Sequence, residues 1–322
     1  MLINVFVKEI EMKKLILATA IVFLAACGSS DDDSDDSGTG SETSSGLLQG
    51  IQFGATTGNV AETISALETA IDGIDPVSIV EQIDHQANAA ANDLELRPTS
   101  VTLFGNPLLG TPLMQINQLA GLDLPQNMLA WEDETGQTNI AYNSADYLSG
   151  RHGLSAAQET LDTINTALNN LANAAAGQEI TPVAGAVPSI GEGVVVVQSA
   201  NDIDTTFTNL QQAIVSAEPL TLVTILDHSA NAETVGLTLL PTRLLVFGNP
   251  NLGTPLMQSE QSIGIDLPQK MLVFEDAEGV VSIAYNDPAF LAERHGITDQ
   301  QEILGTITTA LGDLAAGAAA AP

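Results

Sequence analysis

Apolar and polar positions recur in one order along the C-terminal half of the chain. Gly193–Ser199 is a run of Val that predicts a strand, and Asp204–Ala217 carries Phe207, Leu210 and Ile214 at helical spacing. Leu220–His228 then alternates. Leu220, Leu222, Leu226 and His228 share a face broken only by Thr224. Strand side chains two apart point the same way, so His228 is expected to end an inward-facing row. Thr242–Phe247 predicts a further strand, closed by a Gly-Asn-Pro turn. Thr254-Pro255 has the form of an N-cap followed by Pro at the first helical position, opening a short helix that holds Met257. Met271–Glu275 and Val280–Tyr285 predict a hairpin around Asp276–Gly279, and Asp287-Pro288 a short helix ending at Arg294-His295-Gly296. Thr298 with Gln301 predicts a capping box for the last helix, whose apolar stripe is Leu304, Ile307, Leu311 and Leu314.

The same order occurs earlier. Adding 143 to a residue number in 47–177 gives its partner in 190–320 without a gap, and 39 of the 70 residues from Asp84 to Gly153 are identical to their partners. Val77, Ile79, Ile83 and His85 repeat the alternating row, broken by Glu81, and Ser155 with Gln158 repeats the capping box. Units this long are domains rather than solenoid repeats, whose periods run about 20–50 residues. The expected division is a first repeat at 47–177, a linker at 178–189 rich in Gly, Pro and Ala, and a second repeat at 190–322. Each repeat is expected to be β-α-β-β-β-β-α, an α+β fold with helices packed on one face of an antiparallel sheet.

Gly-Asn-Pro, Gly-Thr-Pro-Leu-Met, Asp-Leu-Pro, Glu-Asp, Ala-Tyr-Asn and Arg-His-Gly occur in this order in both repeats. This string resembles the domain of unknown function family 302. The resemblance implies a fold similar to the α+β arrangement of the TATA-binding protein and brings no established activity with it.

The N-terminus has the form of a targeting segment. Lys13-Lys14 precedes an apolar run, Leu15–Ala26, too short to span a bilayer. It ends in Leu24-Ala25-Ala26-Cys27-Gly28, which resembles a bacterial lipobox. That resemblance implies a signal peptide at 1–26, lipidation of Cys27 and attachment to the outer membrane, on its periplasmic side or at the cell surface. Residues 27–46, with their Asp run, are expected to be a disordered acidic tether.

Eight Lys and Arg against 40 Asp and Glu give a formal net charge of −32, which argues against binding nucleic acid through a basic surface. The single Cys excludes a disulfide framework within the chain and a Cys-rich metal site. No Walker loop, dinucleotide fingerprint, His-Glu-x-x-His or Gly-x-Ser-x-Gly is present. The sequence therefore names no catalytic residue and no cofactor.

Candidate chemistry rests on paired positions. The four His fall as His85 with His228 and His152 with His295. Of the five basic residues after Cys27, only Arg151 and Arg294 coincide between repeats. A guanidinium among so many carboxylates is expected to hold one of them, with Asp84/Asp227 and Asp123/Asp266 as candidate partners. Tyr142 and Tyr285 are expected at a strand exit, where they could line a pocket with the His.

Four readings follow. The preferred one is a lipid-anchored tandem binding module of the cell envelope, not an enzyme. In it a sheet–helix cleft in each repeat holds a small ligand, using His85, Tyr142, Arg151 and His152, and then His228, Tyr285, Arg294 and His295. The second is a copper-like or haem metalloprotein using His85, His152 and Met114 with His228, His295 and Met257. The third is an enzyme using the Arg–His pairs, and the fourth is a structural envelope protein. Each Arg, His, Tyr and Met named here also has an ordinary structural use in a core or an ion pair.

Overall fold

The computed structural model describes residues 48–182 and 185–321. The expected signal peptide at 1–26, the expected lipidation site Cys27 and the expected tether to residue 46 lie outside the described residues. The first repeat runs β1 (Ile51–Ala55), α1 (Val60–Asp72), β2 (Ser78–Asp84), α2 (His85–Ala90), β3 (Thr99–Gly105), α3 (Pro107–Ile116), β4 (Gln126–Glu132), β5 (Thr138–Asn143), α4 (Ala145–His152) and α5 (Gln158–Ala176). The second runs β6 (Val194–Gln198), α6 (Ile203–Ser216), β7 (Thr221–Asp227), α7 (His228–Thr234), β8 (Thr242–Gly248), α8 (Pro250–Ser259), β9 (Gln269–Glu275), β10 (Val281–Asn286), α9 (Pro288–His295) and α10 (Gln301–Ala319). Each repeat forms a five-stranded antiparallel sheet, ordered β1-β5-β4-β3-β2 and β6-β10-β9-β8-β7. The expected β-α-β-β-β-β-α order is present, with short helices added between the strands.

Period-two alternation sets two faces on each sheet. Phe104, Met128, Ile140 and Tyr142 bury one face of the first sheet against Leu67 and Ile71 of α1 and Leu161, Leu168 and Leu171 of α5. Phe247, Met271, Ile283 and Tyr285 do the same beneath α6 and α10. The opposite faces share a third core. It combines Val101, Leu103 and Leu129 of one repeat with Leu244, Val246 and Leu272 of the other. The 3-10 turns Gln118–Leu122 and Gln261–Ile265 each reach the opposite repeat's sheet. Their glycines ease that approach, since a Cβ on Gly264 would lie 2.9 Å from Leu129 Cδ1 and one on Gly121 3.1 Å from Leu272 Cδ1. The repeats therefore belong to one compact unit, Ser44–Pro322.

Three local expectations are corrected. First, the alternating row before each His does not stay on one face. A register shift between Ile79 and Glu81 leaves Val77 and Ile79 with the helix-side core but sends Ile83 to the inter-sheet core. The same shift between Leu222 and Thr224 separates Leu220 and Leu222 from Leu226. The polar breaks at Glu81 and Thr224 mark this bulge, which inserts one residue and turns the following side chains over. His85 and His228 consequently begin helices rather than end strands, with Asp84 and Asp227 as N-caps. Second, the Gly-Asn-Pro segment is itself a helix start. Asn106 and Asn249 cap α3 and α8, Pro107 and Pro250 take the first helical position, and Thr111 and Thr254 lie inside the helices. Third, the capping boxes at Ser155/Gln158 and Thr298/Gln301 do not form; α5 and α10 begin without a side-chain cap. A complete capping box joins Asn59 and Glu62 instead.

Candidate functional site

Two kinds of place gather the chemically active side chains. One is a buried ionic cluster between the repeats. The helix α4 presents Arg151 and His152 in its last turn and stops at Gly153, whose φ of +67° suits a residue without a Cβ. Asp123 follows the 3-10 turn of the same repeat and accepts from Arg151 Nη1 at 2.8 Å, and it lies 2.6 Å from His152 Nε2. The rest of the guanidinium crosses to the second repeat. Its Nε donates to the Glu192 carbonyl at 3.0 Å, and Nη2 donates to the Gly193 carbonyl at 3.0 Å and to Asn286 Oδ1 at 2.9 Å.

The second repeat returns the contacts to Asp, His and Asn. Arg294 Nη1 meets Asp266 at 2.8 Å, His295 Nε2 lies 2.7 Å from the same carboxylate, and Nη2 donates to Asn143 Oδ1 at 2.6 Å. Both guanidinium groups also pack over Tyr147, at 5.6 Å for Arg151 and 4.1 Å for Arg294 from the ring centre. Burial would raise the Asp123 and Asp266 carboxyls, but the adjoining Arg and His overcome it and hold both well below the usual carboxylate range. Lys270 lies buried within the field of both Asp residues, and burial lowers its pKa. No residue of the Arg–Asp–His cluster lines either of the two clefts described below.

Those two clefts are the second kind of place, and they are related by the 143-residue offset. The first, of about 570 Å³, has a floor of Phe104, Met114, Gln126, Ile164 and Leu168 from the first repeat. Its remaining wall comes from the second repeat, including Asp227, His228, Asn231 and Val235. The second cleft, of about 450 Å³, is floored by Phe247, Met257, Ile307 and Leu311 and walled by Glu81, Asp84, His85 and Asn88 of the first repeat. Both volumes fall within the roughly 300–1,000 Å³ typical of small-molecule sites. Among the described residues that line them there is no Lys or Arg.

Each His thus serves the opposite repeat's cleft. His228 Nε2 lies 3.3 Å from the Gly121 carbonyl, across the repeat boundary. A Cβ on Gly121 would meet Met114 Sδ at 3.2 Å and His228 Cδ2 at 3.4 Å, so the three groups converge there. Burial pushes both His85 and His228 down to about 4, which leaves them neutral near pH 7.

Several expected groupings are corrected by these positions. His85 does not join Arg151, His152 and Tyr142; it sits with Met257, and His228 sits with Met114. The set His85, His152 and Met114 is not assembled, nor is its counterpart His228, His295 and Met257, because the exchange between repeats splits each one. Among the described residues no group of three His, Cys, Asp or Glu is placed to hold a metal ion. Tyr142 donates to Asn169 Oδ1 beneath α5, and neither it nor Tyr285 lines a cleft. Asp123 and Asp266, rather than Asp84 and Asp227, hold the Arg pair.

A family model for the domain of unknown function DUF302 matches residues 53–171 and 195–314. The chain belongs to the DUF302 family. Two curated proteins show a shorter similarity. The fluoride-specific ion channel FluC 1 of Brucella suis is 42% identical over 108 residues, covering 34% of this chain and 42% of that protein. FluC 2 of Brucella melitensis is 42% identical over 108 residues, covering 34% of this chain and 40% of that protein. The chain therefore spans about two fifths of the length of these relatives. Among solved structures, an uncharacterized conserved DUF302 protein from Bacillus stearothermophilus matches with 18% identity and a TM-score of 0.36, over 38% of this chain and 96% of that one.

Sequence reasoning missed two cleft residues that this DUF302 pair places in the first cleft. Gln126 and Thr111 both line it, and both are buried, at 7% and 1% exposure. Both amide atoms of Gln126 and the Thr111 hydroxyl lack a hydrogen-bond partner among the described residues. Their one available signal was retention in both repeats, as Gln269 and Thr254, which many core positions share.

Proposed function

We propose that the protein is a lipid-anchored binding module of the cell envelope, attached to the outer membrane through Cys27, that holds one small, largely apolar molecule in each of two equivalent clefts. The observation that carries this reading is the pair of clefts itself. Each is open space between one repeat's sheet and helices, completed by an acid–His corner from the other repeat. Two like sites on one tether double the capacity of each anchored molecule. The buried Arg–Asp–His cluster supports the fold under this reading and lines neither cleft. The Brucella proteins bear the name of a fluoride channel. Their 108-residue match is about the length of one repeat, so what this reading takes from them is the shared domain and not the channel.

The test is binding of the neutral apolar probe N-phenyl-1-naphthylamine to the full chain, followed by fluorescence. Two probe molecules per chain are expected. Ala167 and Ala310 are half-buried helix positions on the two cleft walls. Ala167→Trp should remove one probe site, Ala310→Trp the other, and the double variant both. Absence of saturable binding, or a stoichiometry indifferent to these substitutions, overturns the reading.

A further inference from the structure

The two clefts share their floors and differ in the wall that each borrows. By the 143-residue offset, Phe104, Met114 and Leu168 of the first correspond to Phe247, Met257 and Leu311 of the second. The borrowed walls are less alike. The second repeat lends the first cleft Thr224 and Ile225, whereas the first repeat lends the second cleft Glu81 and Gln82. Each wall also carries the Asp that caps a short helix, Asp227 or Asp84. Arg243 Nε lies 3.3 Å from Asp227 Oδ2, but the residue equivalent to Arg243 in the first repeat is Ser100. Among the described residues no Lys or Arg forms an ion pair with Glu81 or Asp84. Glu81 accepts from the Gln82 backbone N–H at 3.3 Å and Asp84 from that of Ala87 at 2.8 Å, each through one oxygen. Glu81 is half-buried and Asp84 exposed, so both remain open to a solvent-borne partner. His85 on the same wall is neutral near pH 7 and offsets neither charge.

We propose that the second cleft selects a cationic amphiphile, with a primary ammonium head facing Glu81 and Asp84 and an apolar body on the floor of Phe247, Met257 and Leu311. This deepens the binding-module reading and rests on it. An ammonium at the second wall is attracted by two carboxylates that have no cation of their own, while the apolar body is taken out of water. At the first wall the same head meets one carboxylate already held by a guanidinium, so its loss of hydration is not made good there. A carboxylate head is repelled at the second wall, and an alcohol gains nothing from the difference between the two. The chain's net charge of −32 draws cations toward both clefts alike, so it cannot by itself produce a preference of one over the other. The duplication therefore supplies two hollows of one shape and of different charge.

Competition against N-phenyl-1-naphthylamine tests this in the full chain. Ala167→Trp leaves only the second cleft to report, and Ala310→Trp only the first. At pH 7.5 and low salt, decylamine should displace the probe from the second cleft at concentrations about ten-fold lower than decanol, with decanoate weaker than both. At the first cleft the advantage of decylamine over decanol should be about three-fold smaller or less, and at the second it should shrink as NaCl is raised. Glu81→Thr with Asp84→Asn, which installs the first cleft's residue and keeps a helix-capping side chain, should bring the second cleft to the behaviour of the first and leave probe affinity unchanged. The reverse exchange, Thr224→Glu with Arg243→Ser, should give the first cleft the amine preference, so that the idea stays testable if either variant fails to fold. An equal amine preference at both clefts, or one at the second cleft that survives removal of Glu81 and Asp84, overturns the proposal while leaving the cleft reading standing. If the probe itself does not bind, the cleft reading fails first and this one falls with it.

Discussion

The ionic cluster and the two clefts lie in one body and use neighbouring stretches of chain, yet they are opposite in character. The cluster concentrates charge: two Arg, two Asp and two His, closed by Asn143, Asn286 and backbone carbonyls. Its guanidinium groups are fully engaged, and the side chains are shut away from solvent. The clefts hold little charge, but they have volume and a chiefly apolar lining. The difference teaches that ionisable side chains at equivalent positions are a poor guide to a working site when they are paired with one another and shut away from open space. Open volume lined by both repeats is the better one.

This contrast is broken most forcefully at the cluster. Arg151→Met leaves Asp123 buried without its main partner and should destabilise the protein by about 3–5 kcal/mol, read from urea unfolding, with little change in probe affinity. A loss below ~1 kcal/mol would mean the cluster is not what joins the repeats. Acid should come next. His85 and His228 have folded-state values of about 4 against 6.5 for the free side chain, so the unfolded chain takes up protons first as pH falls. Their contribution is full above 6.5 and is lost progressively down to about 4; below that, the depressed Asp123 and Asp266 carry the loss further. Unfolding midpoints measured from pH 8 to 4 should show this slope, and His85→Leu with His228→Leu should flatten it.

A smaller effect is expected at the turns that bridge the sheets. Gln118 Nε2 donates to Thr242 Oγ1 at 2.8 Å and to the Glu275 carbonyl at 3.1 Å, both in the other repeat. Gln118→Ala should cost about 1–3 kcal/mol by leaving those acceptors unpaired. The smallest change should follow Arg243→Met. Its partners Asp204 and Asp227 are solvent-accessible, so the midpoint should move by less than ~1 kcal/mol. A larger shift there than at Gln118 would erase the distinction between bonds that join the repeats and those that decorate them.

Much of the fold was legible because it rests on local signals. Alternation placed the strands, the Leu304–Leu314 stripe placed the last helix, and the ungapped offset required the two halves to match. The bulge was visible as Glu81 and Thr224 and was misread as an imperfection in a row. Capping failed where two rules competed: Asn106-Pro107 and Thr111-Pro112 both have the form of a helix start, and the first one wins. The site was the least legible part. Arg151, His152 and Asp123 lie in one repeat and could be suspected of pairing. That His85 faces Met257, while Met114 faces His228, depends on how two sheets stack, and no spacing within either repeat encodes it. Gln126 was hidden for another reason, since an unmet bond is a property of surroundings rather than of residue type.

The exchange of His-bearing corners has a consequence for how such a protein is put together. A single copy of this unit has the floor of a binding hollow but lacks one bank of it. A relative possessing just one unit could finish the hollow only by borrowing from a sister molecule, two chains lending to each other about a twofold axis. Joining the pair in one polypeptide makes that loan permanent and independent of concentration, and it frees the halves to diverge, as Gln126 and Gln269 have begun to do in their exposure to water.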